Sequence, residues 1–138
     1  MSILDTGIKN VRNVLGYNIG AGSISGLEEL LFPLRANNQP VVMFIDEFFR
    51  GNDNVLGKLK IQANDVVKYV FTKDEPTTIY IDTLVEELRS QGIATPSAIV
   101  GMGGGVSLDV AKAVANVMTN GGKAEDYQGW DLVKNPGI

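Results

Sequence analysis

Residues 98–112 read Ala98-Ile99-Val100-Gly101-Met102-Gly103-Gly104-Gly105-Val106-Ser107-Leu108-Asp109-Val110-Ala111-Lys112, and this stretch decides the fold. A short apolar run ends in glycines and then resumes with helical spacing, which predicts a buried strand that turns through a backbone-only loop into a helix. Glycines let the main chain approach a ligand closely, and the first turn of the helix offers unpaired N–H groups at the positive end of its dipole. The stretch therefore predicts a binding site for a phosphate or a pyrophosphate.

The composition is that of an ordinary globular domain. The chain has 138 residues, of which 44% are hydrophobic and 20% charged, so it fits one folded domain. The net charge of −4 argues against nucleic acid, because no basic cluster is present to neutralise phosphates over an extended surface. No apolar run approaches the roughly 20 residues of a membrane span, and Met1 to Asn10 lacks the pattern of a signal peptide. We therefore expect a cytoplasmic protein without a membrane or nucleic-acid partner.

The sequence contains neither histidine nor cysteine. An ordinary zinc site and a Ser-His-Asp relay both need these residues, so neither can be built from this chain. Any metal ion would have to be held by carboxylates and carbonyls.

Apolar runs and helical patterns alternate along the chain. Strands are predicted at residues 41–45, 66–71 and 98–100, and helices at 54–59, from Thr77 to a stop at Gly92, and at 107–118. This alternation predicts an α/β fold with a mostly parallel sheet between two layers of helices. Ligands of such sheets bind beyond the carboxyl ends of the strands, where both Asp46 and Gly103 are expected.

The first part of the chain gives weaker signals. Residues 8–22 predict extended structure that ends in a Gly-Ala-Gly turn. Ser25 and Glu28 have the spacing of a capping box, and a helix is expected to follow. Its apolar face is predicted to comprise Leu27, Leu30, Leu31 and Leu34. Pro33 is expected to kink or end this helix.

The two common phosphate-binding fingerprints do not match the glycine stretch. A GxGxxG frame that starts at Gly101 places Val106 at the last glycine, and one that starts at Gly103 places Leu108 there. A P-loop needs a lysine directly after the glycines, but the first lysine that follows the glycine triplet is Lys112.

Residues 103–112 instead resemble the GGGSxxDxAK signature of the iron-dependent (group III) alcohol dehydrogenases. That family shares its fold with glycerol dehydrogenases and dehydroquinate synthases. The Gly-Ala-Gly turn before a helix, the strand that ends in Asp46 and the turn Glu75-Pro76-Thr77 are also similar to the family, so the resemblance covers nearly the whole chain. Residues 126–138 look most like the branch that contains 3-deoxy-D-manno-octulosonate 8-oxidases. The resemblance implies a Rossmann-like, three-layer parallel sheet.

The resemblance also implies that the chain binds NAD, with NADP less favoured. It places the cofactor-binding residues at Asp46, Glu75, Gly103, Gly104, Gly105, Val106, Ser107 and Asp109. The glycine amides would hold the pyrophosphate, Asp46 would bind the adenosine ribose and repel a 2′-phosphate, and Asp109 would lie near the nicotinamide. Two positions depart from the family pattern: Val106 stands for the motif's serine, and Glu75 stands for an asparagine.

Family members continue into a Pro-Thr-Thr segment and a helical domain whose Asp and His residues hold a divalent metal such as Fe, Zn or Mn. Neither is present in this sequence. We therefore expect residues 1–138 to be the dinucleotide-binding domain of a larger two-domain enzyme, with no catalytic or metal-binding residue of its own. The implied reaction is hydride transfer to NAD from the primary alcohol group of a small molecule, such as a sugar acid. The early extended segment is expected to pair with a second copy in a homodimer.

Several alternatives remain open from the sequence. The chain could be a standalone nucleotide- or phosphate-binding module, or part of a lyase of the dehydroquinate synthase type. Asp46 could cap the next segment, and Asp109 could interact only with the dipole of its helix, in whose first turn we expect it. Lys112 is expected to be a solvated charge or the partner of a nearby acid. Tyr127 and Trp130 are expected to pack the tail on the domain, with the lining of an interdomain cleft in a full-length protein as the alternative.

Overall fold

The computed structural model describes residues 16–138. These residues contain a parallel sheet of three strands, β1 (Val41–Asp46), β2 (Val66–Val70) and β3 (Ala98–Met102), in the order β2-β1-β3. The register pairs Asp46 with Val70 on one side, and Ile45 with Met102 on the other. The predicted α/β class with a parallel sheet is confirmed.

The central strand β1 forms the middle of the core. All five residues from Val41 to Ile45 are fully buried, because strands flank β1 on both edges and helices cover both of its faces. Val42 and Phe44 face α3 (Thr78–Ser90) and α4 (Gly105–Asn120). The alternate residues of β1 face the opposite layer, which contains α1 (Leu27–Leu31) and α2 (Asp53–Leu56). The three-layer arrangement therefore follows from one apolar run that must be shielded on both sides.

Two boundaries near the glycines differ from the sequence prediction. Strand β3 continues to Met102 rather than ending at Val100, and helix α4 begins at Gly105 rather than at Ser107. Glycine has a low helix propensity, which explains why the sequence predicts a later start. The connection between strand and helix is consequently only Gly103 and Gly104.

The predicted first helix is much shorter than its apolar pattern suggests. Ser25 does not cap it: this residue lies inside a 3-10 turn, Ser23–Gly26, and its hydroxyl donates to the Gly22 carbonyl at 2.8 Å. Helix α1 has five residues, and the chain continues as a 3-10 helix, Phe32–Asn37, in which Pro33 lies near the start. Leu31 is buried, whereas Leu30 and Leu34 are exposed. The predicted capping box and half of the apolar face are therefore wrong.

The predicted extended segment is described only in part. Residues 8–15 lie outside the described residues, and residues 16–19 form no strand. Residues 20–22 form the predicted turn, with Gly22 in the left-handed region at φ 80°. The pairing of this segment with a second copy stays a prediction.

A buried ion pair fixes the amino end of the sheet. Arg35 donates to both carboxylate oxygens of Asp65, at 2.7 and 2.9 Å, and the Asp65 side chain is fully buried. Asp65 also accepts from the main-chain N–H groups of Val41 and Gln62, at 3.0 and 2.9 Å. Burial alone would raise the pKa of Asp65, but these hydrogen bonds outweigh it and hold the pKa below its ordinary value.

Asp65→Asn is expected to lower the free energy of unfolding at pH 7 by about 2 kcal/mol, because it leaves the Arg35 guanidinium without its counter-charge. The pKa of Asp65 is lower in the folded than in the unfolded protein. The stabilisation by the carboxylate is therefore complete above about pH 5 and is lost as the pH falls through the folded-state pKa. Urea unfolding at pH 7 and at about pH 3 measures the difference between the two proteins, which should shrink in acid.

Glu87→Gln is the matched control, since Glu87 forms an exposed ion pair with Lys68 at 2.8 Å. It should change the free energy of unfolding at pH 7 by less than about 0.5 kcal/mol. A cost of Asp65→Asn that persists unchanged at about pH 3 would contradict the role assigned to the carboxylate.

Candidate functional site

The predicted site residues are distributed over three connections at one edge of the sheet. Because the strands are parallel, their carboxyl ends meet at the same edge. Asp46 ends the central strand, the glycines follow β3 on one side, and Glu75 lies in the loop after β2 on the other. This is the edge at which open α/β sheets bind their ligands.

Gly103 is in direct contact with the end of β1. Its φ of +144° is a conformation that L side chains rarely adopt, and a Cβ at this position would lie 2.7 Å from the Cβ of Asp46. The same Cβ would lie 2.8 Å from the hydroxyl oxygen of Ser107. Only glycine fits here, and its role is to let the β3–α4 connection pass against Asp46.

Gly104 and Gly105 have a different environment. A Cβ added to either residue would find no heavy atom within 4 Å, and neither residue has a positive φ. Packing and backbone conformation within the described residues therefore give no reason for glycine at these two positions. The open space beside them is what a ligand needs to approach the main chain.

The main chain at this point is suited to an anion. Gly104 occupies the N-cap position of α4 without any side-chain cap, and Gly105, Val106 and Ser107 form the first turn. The N–H groups of a first helical turn have no partner within the helix, and they lie at the positive end of a helix that here is 16 residues long. A phosphate group that approached Gly104 and Gly105 would meet these donors.

Asp46 has a structural role and also remains available to a ligand. Its Oδ1 accepts a hydrogen bond from the Phe48 N–H at 3.0 Å and so caps the short 3-10 helix Glu47–Phe49. Among the hydrogen bonds of residues 16–138, none is accepted by the second carboxylate oxygen. The capping role is thus confirmed, and one oxygen is left for another donor.

Val106 and Ser107 differ in what their side chains can offer. The Val106 side chain packs against the core cluster beneath α3 and α4, so only its main chain is available to a ligand. Ser107 is fully buried, and its hydroxyl has no hydrogen-bond partner among the described residues. The hydroxyl faces Gly103 on the side where Asp46 lies.

Asp109 and Glu75 stand apart from this cluster. Because α4 begins at Gly105, Asp109 lies in the second turn, not in the first turn as predicted. The Asp109 carboxylate forms an ion pair with Lys112 at 2.7 Å, and both side chains are more than half exposed. Asp109 is therefore the nearby acid that the sequence predicts as a partner of Lys112. Glu75 is exposed in its loop. The structure therefore brings Asp46, Gly103 and Ser107 together, and leaves Asp109 and Glu75 at the periphery.

One residue that supports the site was not singled out from the sequence. A Cβ at Gly101 would lie 2.8 Å from the Cβ of Ala111, so glycine here lets β3 and α4 pack closely. A glycine inside an apolar strand is the signal for such a close approach.

The tail contributes through Tyr127 but not through Trp130. The Tyr127 ring packs on the core, and its hydroxyl donates to the Gly121 carbonyl at 2.5 Å. Trp130 is 77% exposed, which contradicts the packing predicted for it.

Residues 16–138 contain neither a candidate metal centre nor a candidate membrane span. Nowhere in this part of the chain do three or more acidic side chains converge as metal ligands. The helices of the same residues are all too short or too polar to cross a bilayer.

Gly103→Ala is expected to lower the free energy of unfolding by about 2 to 3 kcal/mol, because it combines an unfavourable φ with a clash against Asp46. Gly105→Ala is the matched control: it adds the same methyl group at a helical position with open space, where alanine is favoured by up to about 1 kcal/mol. Urea unfolding of the two variants measures both effects. Equal losses of stability would contradict the distinct environments of these glycines.

Comparison with known proteins places this geometry in a family. The family model for iron-containing alcohol dehydrogenases matches residues 16–138. The NAD-dependent methanol dehydrogenase of Bacillus methanolicus is 27% identical over 121 residues, which is 86% of this chain and 30% of that protein.

Solved structures share the fold of this chain. A 1,3-propanediol oxidoreductase superposes with a TM-score of 0.64 at 22% identity, over 86% of this chain and 30% of that one. The NADH-dependent butanol dehydrogenase A of Thermotoga maritima gives 0.55 at 26% identity, over 78% and 27%. This chain thus covers less than a third of the length of each protein named. It belongs to the iron-containing alcohol dehydrogenase family.

Proposed function

We propose that residues 1–138 form the dinucleotide-binding domain of a metal-dependent alcohol dehydrogenase and that this domain binds NAD at the carboxyl edge of its sheet. The observation that carries the proposal is the open main chain of Gly104 and Gly105 at the start of a long helix, directly after Gly103, which lies against the Asp46 side chain. An anion-binding turn and a carboxylate are the two contacts that a dinucleotide needs at its pyrophosphate and its adenosine ribose.

The pyrophosphate would lie against Gly104 and Gly105. No side chain occupies the space beside either residue, and the unpaired N–H groups of the first turn of α4 would donate to the phosphate oxygens. Val106 contributes its N–H to the same turn, since its side chain is directed into the core. The loss of the motif's serine hydroxyl at position 106 therefore leaves the main-chain donors in place.

Asp46 would bind the adenosine ribose through the carboxylate oxygen that the Phe48 N–H does not use. A carboxylate accepts hydrogen bonds from ribose hydroxyls and repels a 2′-phosphate, so we infer a preference for NAD over NADP. Asp109 near the nicotinamide and Glu75 near the cofactor are further proposals. Both are solvent-accessible and lie on elements that border the same edge of the sheet.

The bound nicotinamide would accept a hydride from the carbon of a primary alcohol. The proposed substrate class is a sugar acid, which rests on the resemblance of residues 126–138. The metal ion of the family does not fit the described residues, because they contain no ligand cluster and the sequence contains no histidine. We therefore propose that the metal and the alcohol are held by residues outside this sequence and that these 138 residues alone are inactive, which the coverage of less than a third of the relatives supports.

The cellular setting is also inferred. A cytoplasmic location is proposed, and the net charge of −4 argues against a nucleic-acid partner. Membership of an alcohol dehydrogenase family supports the dehydrogenase over a lyase or a standalone phosphate-binding module.

Calorimetric titration of the 138-residue chain with NAD tests the proposal. Gly105→Ala should weaken NAD binding at least about tenfold without lowering the melting temperature, because the methyl group fills the space of the pyrophosphate. Gly57→Ala is the control: Gly57 also has open space, and it lies in a 3-10 helix away from the glycine loop. Absence of NAD binding by the unmodified chain would overturn the proposed function.

Asp46→Asn is expected to narrow the preference for NAD over NADP by about tenfold, because the amide keeps the cap but removes the charge that repels a 2′-phosphate. Dissociation constants for both cofactors, measured by calorimetry, give the ratio. Asp74→Asn removes an equal charge from an exposed position in the loop after β2 and should leave the ratio unchanged. An unchanged ratio in Asp46→Asn would contradict the ribose contact.

A further inference from the structure

Ser107 carries a buried hydroxyl that no group in residues 16–138 uses as a hydrogen-bond partner. The residue is 0% exposed, and its Oγ has no hydrogen-bond partner among the described residues. A buried hydroxyl without a partner costs free energy that alanine would avoid. The stability of the folded chain therefore does not explain serine at this position.

The hydroxyl lies close to the proposed ribose-binding carboxylate. A Cβ built on Gly103 would be 2.8 Å from Ser107 Oγ and 2.7 Å from Asp46 Cβ. Ser107 Oγ and Asp46 Cβ are consequently no further apart than the sum of those two distances. A carboxylate oxygen stands two bonds beyond Cβ, so the Asp46 side chain is long enough to reach Ser107 Oγ when it is directed toward that hydroxyl.

We propose that Ser107 is a positioning residue for Asp46: when a dinucleotide binds, its hydroxyl donates to the Asp46 carboxylate and fixes the orientation in which the carboxylate receives the ribose. This inference rests on the proposed NAD site. Ser107 acts through Asp46 rather than on the ligand, because it has no exposed surface. A hydroxyl that donates to a carboxylate makes one of the stronger hydrogen bonds in proteins.

The alternative acceptor for this hydroxyl is main chain. A serine on a helix can donate to the carbonyl four residues earlier, which here is that of Gly103. Two features favour Asp46. Its carboxylate is charged, and one of its oxygens is left without a hydrogen bond from the described residues, whereas a Gly103 bond would serve only the local turn.

The test compares Ser107→Ala, Asp46→Asn and the double variant, with NAD, NADP and inorganic pyrophosphate as ligands. Ser107→Ala should melt no lower than the unmodified protein, because it removes an unpaired buried hydroxyl. It should weaken NAD binding about tenfold and reduce the ratio of the NADP to the NAD dissociation constant. Pyrophosphate, which has no ribose, should bind as before. The double variant should bind NAD no more weakly than Asp46→Asn, since both changes remove one interaction.

Thr119→Val is the matched control, because Thr119, at the far end of the same helix, also has a buried hydroxyl without a partner in the described part of the chain. It should leave the binding of all three ligands unchanged. Additive effects of Ser107→Ala and Asp46→Asn, or equal weakening of NAD and pyrophosphate, would overturn the link to Asp46. Unchanged NAD binding in Ser107→Ala would overturn it as well. If the unmodified chain does not bind NAD, the proposed function fails together with this inference.

Discussion

The site depends on the contact between Gly103 and the end of the central strand. Parallel pairing sets Ile45 opposite Met102. Gly103, the residue after Met102, lies so close to Asp46 that a Cβ on Gly103 would be 2.7 Å from the Asp46 Cβ. A shift of β3 by one residue would place Met102 or Gly104 there and would turn the apolar side chains of β3 to the wrong faces. The register that buries the core is therefore also the register that joins the phosphate loop to the carboxylate.

The two ends of the sheet hold their polar groups differently. At the amino end, both oxygens of the Asp65 carboxylate are hydrogen-bonded, to Arg35 and to the main chain of Val41 and Gln62. At the carboxyl end, the N–H groups of the first turn of α4 have no side-chain cap, and the Ser107 hydroxyl has no partner among the described residues. Buried side-chain atoms without a partner also occur elsewhere in these residues, at Glu28 Oε2, Arg35 Nε and Thr119 Oγ1. What distinguishes Ser107 is that its hydroxyl lies beside an uncapped helix start that is suited to an anion.

The strands and the glycine loop could be predicted because their signals are local. Five consecutive apolar residues in β1 need cover on both faces, and three glycines after an apolar run need a turn. The start of α4 could not be predicted, since Gly105 is a poor helix former and yet is the first residue of the helix. Because α4 begins two residues earlier than predicted, Asp109 lies in its second turn and not in its first.

The other departures from the sequence prediction concern single side chains. Ser25 has the spacing of a capping residue, but a local 3-10 turn places its hydroxyl on Gly22 instead. Leu30 follows helical periodicity within α1, yet it is exposed while Leu31 is buried. The burial of Ser107 could not be predicted either, because a small polar residue is compatible with both faces of a helix and only the position of Gly103 fixes which one it occupies.

The three consecutive glycines answer three different constraints. Gly103 is required by its positive φ and by its contact with Asp46, so the fold alone explains it. Gly104 and Gly105 have ordinary backbone conformations and empty surroundings, where alanine would fit and, in the helix, would stabilise. Glycine at a position where alanine would be more stable indicates that a ligand contacts the exposed main chain there. The open pair, rather than the strained residue beside it, is therefore the part of the motif that points to a ligand.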